Sequence, residues 1–439
     1  MEFLDKLVLP QSLEHIQLLH YMMMLALFLY IPFTGMLMGS ISLSLYYKRK
    51  ARLTGDPLYL KLSSDIIRTA TFKKTAGFIL AMLPPFVLTF IAAQILHQMK
   101  IASVGYLFFG SLLSVPAVIL VYIYRYSLEF KGLFKKMESD DEVESYFESA
   151  SDLNRFSGPW ALFMMISSTY FVIAGLALGI YSNEWAASKN LLLIFLSGSF
   201  FMKWLYVFAF GFAITAAVML FRFFYWEGGI KDASDEYKEL ARNSFTKIAM
   251  ISAYSLPLLI LIHTIQIPAS SMSRPTLLYM ALAAVLVFGL FHAIYEIAKK
   301  KNMNATSWAL LFLVFSAMAL IIGDQNAFKQ STKLHSLQLG ADYDSTMKKL
   351  LAATGGAEIS GEAIFQQKCQ ACHKWDVKLV GPPYKETLPK YEGKMEELVN
   401  FIGNPVKKNP AYPPMPAQGL KPKEVKAVAK YIMETYKSK

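Results

Sequence analysis

The chain holds only two cysteines, and they stand together in the run Gln367-Lys368-Cys369-Gln370-Ala371-Cys372-His373. Two thiols three residues apart on a helical turn can reach both vinyl groups of one porphyrin, and the adjacent imidazole can reach its iron. The pattern therefore points to one covalently attached c-type haem. Two other chemistries use such thiols. A thioredoxin-like redox pair would follow a β-strand, whereas the residues before Cys369 read as an amphipathic helix. A structural zinc site would need a second thiol pair, and the sequence has none. With both cysteines in one motif there is no disulfide framework to build.

Further landmarks follow the motif: Gly381-Pro382, a Pro-rich loop from Asn409 to Pro416 that contains Met415, and a closing helix from Glu424 to Ile432. On these landmarks residues 357–439 resemble a class I monohaem cytochrome c. The resemblance implies a small all-α domain whose last helix crosses its first. It implies His373 as the proximal iron ligand, Met415 as the distal one, and Pro382 packed beside the proximal imidazole. It also implies haem attachment outside the cytoplasm. Met415 has a rationale of its own, because a thioether is a soft ligand that favours ferrous iron and raises the potential. Met395 and Met433 fall on helical patterns and read as core. Residues 357–439 carry 14 lysines against 9 acids. Lys407-Lys408 and the Lys421, Lys423, Lys426 group read first as a solvated surface, with steering toward an acidic redox partner as the alternative.

Ionisable groups inside apolar segments are rare and point to function by default. His20, His97 and His263 each fall about one turn from the same end of a different apolar segment. Two facing imidazoles from different helices could hold a b-type haem, and the third could serve a quinol. Gln17, Gln94 and Gln266 stand at helical spacing from these rings and could orient them. His15 lies about 140° around the helix from His20, so one haem would not use both. His292 and Glu296, four apart near the other end of the seventh segment, share a face. They are a candidate quinone site or proton path, the plain alternative being a salt-bridged helix end beside Lys299–Lys301.

The elements that must position these groups are apolar. Hydrophobic residues make up 54% of the chain and charged ones only 17%, where soluble domains run nearer a quarter charged. The apolar residues gather into eight blocks long enough to cross a hydrocarbon core. These are Ile16–Tyr46, Gly77–Gln98, Val104–Tyr124, Trp160–Tyr181, Leu191–Phe224, Ile248–Ile267, Thr276–Ile297 and Ser307–Ile322. The fifth is overlong and contains Lys203, so it is either one tilted helix or an interfacial segment followed by a span. Alternate loops are strongly basic, from Lys48–Arg52 and Arg68 through Arg125–Lys136 and Arg222–Arg242 to Lys299–Lys301. The loops between them hold little beyond Lys100, Lys189 and Arg274. That asymmetry follows the positive-inside rule and places both termini outside. It also accounts for much of the formal charge of +12, which is therefore not read as a nucleic-acid signal. No cleavable signal peptide is visible, so the first span does the targeting.

The expected organisation is an all-α polytopic membrane domain over 1–323, a helical periplasmic connector over 324–356 that stops at Gly355-Gly356, and the cytochrome-like domain over 357–439. The first span, with His20 near its outer end and Pro32-Phe33 after it, is faintly similar to the large subunit of bd-type quinol oxidases. The long acidic quinol-binding loop and the Gln-Pro-Trp signature of that family are not found. The expected function is respiratory electron transfer at a bacterial inner membrane, between quinol in the membrane domain and periplasmic redox proteins. The expected cofactors are one haem c and, as a further candidate, a b haem. Two alternatives stand beside it: a haem c-bearing docking subunit of a larger respiratory complex without quinol chemistry of its own, and a bd-like terminal reductase.

Overall fold

In lipid a backbone can satisfy its polar groups only within itself, so each apolar block of this sequence has to become a helix or part of a closed barrel. The structure, a computed structural model, describes residues 11–134, 137–138, 140–186, 190–231, 233–353 and 360–438. Lys135, Lys136, Lys189 and Gly355-Gly356 lie outside the described residues. Among those described there is no strand, and the chain divides into two compact units, Met1–Tyr343 and Asp344–Lys439.

Among the described residues, eight helices of the first unit are long and apolar enough to span a membrane. In chain order the helices are α1 (Leu13–Thr54), the short α2 (Pro57–Ala70), α3 (Lys74–Ile95), α4 (Ser103–Phe134) and α5 (Asp141–Ile180). They continue with α6 (Leu191–Leu196), α7 (Gly198–Phe224), α8 (Asp235–Gln266), α9 (Arg274–Lys300), α10 (Ala305–Ser331) and α11 (Lys333–Ala353), the last running on past the division between the units. All but α2, α6 and α11 are the spans. The overlong fifth block resolves into two helices. Ser197 is extended and accepts the backbone N–H of Phe200, an N-cap that ends α6 and starts α7. The helices also outrun the apolar blocks. The 42 residues of α1 reach ~63 Å at 1.5 Å per residue, about twice the hydrocarbon thickness, so the Lys48–Arg52 end projects beyond it. At the other end of the unit Asp324 is not the start of a connector: it lies within α10, and α11 follows after Thr332.

Small residues let the spans approach. A Cβ on Gly211 of α7 would fall 2.8 Å from the carbonyl oxygen of Gly35 in α1. At the same crossing Thr215 donates to the Met36 carbonyl at 3.1 Å. In lipid such close packing replaces the hydrophobic drive between helices, and here it brings the helices of His20 and Lys203 together. Gly211→Leu should therefore prevent assembly of the bundle, measured as loss of the folded, monodisperse protein after detergent extraction. Recovery of that variant at the wild-type level would show that the α1–α7 crossing tolerates separation.

The second unit has its own core, built around Phe365, Leu388, Leu398, Val428 and Ile432. Its helices are α12 (Gly361–Ile364), α13 (Tyr384–Thr387), α14 (Met395–Gly403) and α15 (Pro422–Ser438). α12 runs into a wider turn over Phe365–Cys369. α12 and α15 cross at Gly361, where a Cβ would collide with the Ala427 carbonyl and the Tyr431 side chain. Phe365 and Tyr431 pack ring on ring beside that crossing, 5.5 Å between centroids. Met433 is in the core, as its helical position suggests. Met395 is not: it opens α14 and is 40% exposed, because a first-turn residue has no preceding turn to cover it.

Candidate functional site

The turn that ends the first helix of the small unit sets the cysteines. The Cys372 and His373 N–H groups both donate to the Cys369 carbonyl, at 3.1 and 3.0 Å. Gly381 then donates to the Cys372 carbonyl at 2.8 Å, which folds the following loop back onto the motif. A side chain at position 381 would overlap the His373 ring, so glycine is what lets the loop lie flat against the imidazole. The next residue fixes the ring's chemistry. The Pro382 carbonyl lies 3.1 Å from Nδ1 of His373, and a carbonyl can only accept, so Nδ1 carries the proton and Nε2 keeps its lone pair. Tyr384 stacks on the same ring at 5.1 Å between centroids.

Cys369, His373, Pro382 and Met415 line one cleft, whose walls are mainly apolar and include Leu388, Leu398, Phe401 and Ile432. Met415 reaches it from the irregular segment before α15. The residues fit a covalently held haem: two thiols on one turn, a ring nitrogen with a free lone pair, a thioether on the same cleft, and apolar walls. Lys390, Lys407 and Lys408 stand on the rim. Lys408 is held there by a hydrogen bond to the Tyr391 hydroxyl at 3.2 Å and lies over the Phe401 ring at 4.8 Å. Its charge is thereby kept at the mouth of the cleft.

In the membrane unit His20 and His263 contact adjacent residues of α10, Gln325 and Asp324. His263 of α8 is engaged at both ring nitrogens. Nε2 lies 2.6 Å from the Asp324 carboxylate and Nδ1 lies 2.9 Å from the Tyr181 hydroxyl. Since a carboxylate only accepts, the neutral ring carries its proton on Nε2 and Tyr181 donates to Nδ1. Asp324 is bridged on its other oxygen by Lys203 of α7, at 2.9 Å. His20 of α1 accepts at Nδ1 from the Gln325 amide, 2.5 Å away, and packs edge-on against Phe328. His263, engaged at both ring nitrogens, offers iron no lone pair, whereas the His20 ring is engaged at Nδ1. His97 lies in the turn after α3 with His335 of α11 hydrogen-bonded to its backbone.

The helical-neighbour amides do not orient the His20 and His263 rings. Gln17 points its amide at Tyr21, and Gln325, Tyr181 and Asp324 from distant segments take the places expected for Gln17 and Gln266. Glu296 pairs with Lys300 at 2.7 Å and His292 is exposed, so a salt bridge is present at this helix end. Lys203 stands out in the sequence as a charge in an apolar block. Asp324 does not, because the apolar block before it ends at Ile322 and leaves the carboxylate looking like part of a solvated connector.

Comparison with known proteins agrees with the cleft. Residues 359–435 match the family model described as cytochrome c. The chain is 36% identical over 78 residues to cytochrome c-551 of Pseudomonas denitrificans, a match that covers 17% of this chain and 95% of that protein. It is 36% identical over 101 residues to cytochrome c-551 of Stutzerimonas stutzeri, 20% of this chain and 97% of that one. Against cytochrome c-551 of Pseudomonas aeruginosa the figures are 33% over 87 residues, 19% and 84%. No solved structure matches the chain significantly.

Proposed function

Because the chain belongs to the cytochrome c family through its C-terminal domain, we propose that it carries electrons between quinol in the membrane domain and a redox protein on the periplasmic face of a bacterial inner membrane. The observation that carries the electron-transfer reading is the cleft that Cys369, His373 and Met415 share. Cys369 and Cys372 would hold the haem by thioether bonds, with His373 Nε2 and the Met415 thioether as iron ligands. When bound, the haem supplies one-electron chemistry at its iron. The protein's own part is to fix the ligands. The Pro382 carbonyl holds the His373 proton on the far nitrogen, Tyr384 restrains the ring plane, and the apolar walls keep water from the iron's surroundings, which favours the less charged, reduced state.

Sidedness is supported by where the helices place their basic residues. Arg52 ends α1, Lys131 lies in the last turn of α4, Arg222 ends α7 and Lys299-Lys300 end α9. Counting spans, these ends all lie on one side, the cytoplasmic one by the positive-inside rule. The even number of spans then leaves the chain after α10, and with it the cytochrome domain, on the other. The lysines at the cleft mouth suit an acidic partner there, and such a contact would weaken with salt.

A pyridine haemochrome spectrum of the purified full chain, followed by addition of a reduced quinol under nitrogen, tests this reading. A c-type spectrum with quinol-dependent reduction of the haem is expected. A c-type spectrum without that reduction would favour the second reading, a docking subunit of a larger respiratory complex. The engagement of His20 and His263 by protein partners is the observation on that reading's side. Met415→Ala removes the soft ligand and should lower the midpoint potential of the c-type haem, read by redox titration, while covalent attachment persists.

A further inference from the structure

The polar cluster of the membrane unit borders a cavity whose other walls are apolar, among them Leu27, Ile31, Leu176 and Ile321. The cavity measures about 50 Å³. That volume holds roughly three to five waters and is too small for a quinone ring. Tyr206 lines it, and its hydroxyl is buried with no hydrogen-bond partner among the described residues. A buried, unpartnered phenol on a residue that lines a water-sized cavity beside an ion pair suits a short hydrated path, because an orphaned hydroxyl in lipid is costly unless water satisfies it.

We propose that Tyr181, His263, Asp324 and Lys203 form a proton-transfer station linking the end of the bundle at Tyr181 to this cavity. The inference concerns the membrane unit alone and stands apart from the quinol reading. The four groups come from four chain segments: the residue after α5, α8, α10 and α7. Lys203 and Asp324 neutralise one another, so the cluster is neutral when His263 is neutral and can take up one proton. Tyr181 is itself fully buried, so an incoming proton is handed on by a neighbour, with Glu184 the acidic group near it outside the cluster. As that proton bonds to the Tyr181 oxygen, the hydroxyl's own proton passes to Nδ1 of His263. The Nε2 proton then passes to Asp324 and on to cavity water. Every O–H or N–H bond broken is matched by one formed, and the added proton belongs to the His263–Asp324 pair rather than to either residue. The surrounding titratable groups are Tyr206 on the cavity side, Glu184 near Tyr181, and His20 with Lys329 beyond Gln325.

The test uses the full chain in lipid nanodiscs, with isotope-labelled histidine read by infrared difference spectroscopy between about pH 5 and 9, the range in which imidazoles change charge. A histidine signal that vanishes in His263→Gln is expected to titrate in the wild type. Its midpoint should fall by at least about one pH unit in Asp324→Asn, which removes a negative neighbour, and rise by at least about one in Lys203→Met, which removes a positive one. Opposite shifts cannot come from general loosening of the bundle. Tyr181→Phe leaves the ion pair in place and should slow hydrogen–deuterium exchange of the His263 ring at least about tenfold, the factor that corresponds to one pH unit of proton affinity. No titration of His263, shifts of the same sign in the two variants, or unchanged exchange in Tyr181→Phe would each overturn the proposal.

Discussion

A chain carrying Cys369→Ser and Cys372→Ser together should lose its covalent haem entirely, so that acid–acetone extraction strips all haem colour from the protein. The hydroxyls occupy nearly the same space as the thiols but cannot add to vinyl groups. The effect should extend to the fold of the small domain. Its buried core is a short set of residues around Phe365, Leu398 and Val428, and domains of this size bury only about three-fifths of their unfolded surface. A haem filling the cleft between Cys369 and Met415 would supply much of the missing apolar contact. A group that binds only the folded state also stabilises it by linkage. Near-ultraviolet circular dichroism of the double variant should accordingly show loss of the fixed aromatic environment that Phe365, Trp375 and Tyr384 share, while the far-ultraviolet helix signal of the membrane unit persists. A variant that retains acid-stable haem would show the assignment of these thiols to be mistaken.

The second large effect is expected at Asp324. Replacing it with alanine leaves Lys203, 8% exposed, and His263, 1% exposed, without the carboxylate that both contact. Breaking a buried pair by removing one partner costs about 3–5 kcal/mol, chiefly because the remaining charge stays buried. For Lys203 in a lipid-facing bundle the alternatives are few, since a side chain snorkelling from the first turns of α7 would have to leave the cluster. Thermal unfolding of Asp324→Ala in detergent should show a markedly lower midpoint. The double variant Lys203→Met, Asp324→Ala should recover part of that loss, since it removes the stranded ammonium along with its partner. If the single and double variants melt together, the pair is not a coupled unit.

How far the sequence revealed these features depended on whether the chemistry was local. Cys369, Cys372 and His373 lie on one turn, so their spacing alone defines the haem attachment, and Met415 was legible because a Pro-rich loop isolates it from the helical methionines. The spans were legible because lipid imposes a length on every apolar block. The histidines of the membrane unit were legible as buried polar groups but not as a set, since what decides a ring's chemistry is the group on its second nitrogen. His373 meets a carbonyl and keeps a lone pair; His263 meets a hydroxyl at Nδ1 and a carboxylate at Nε2 and does not. Those partners come from segments far away in sequence, and periodicity within one helix favours near neighbours such as Gln17 and Gln266. His335, beside His97, escaped for the same reason, as it follows the last span in a stretch with the composition of a connector.

The hydrogen bond from Gln325 to His20 joins residues 305 positions apart and ties the first span to the last. A ribosome adding about 5–20 residues per second needs roughly 15–60 s to cover that distance. Throughout that interval the Gln325 amide is missing from the chain, and α7, whose glycine receives α1, arrives after three other spans. This one contact therefore closes late, as the clasp of a ring does, onto a first helix that earlier elements already flank. A chain that stops before α10 lacks the amide that meets the imidazole of its first helix, although the glycine and threonine of α7 that receive that helix are already present.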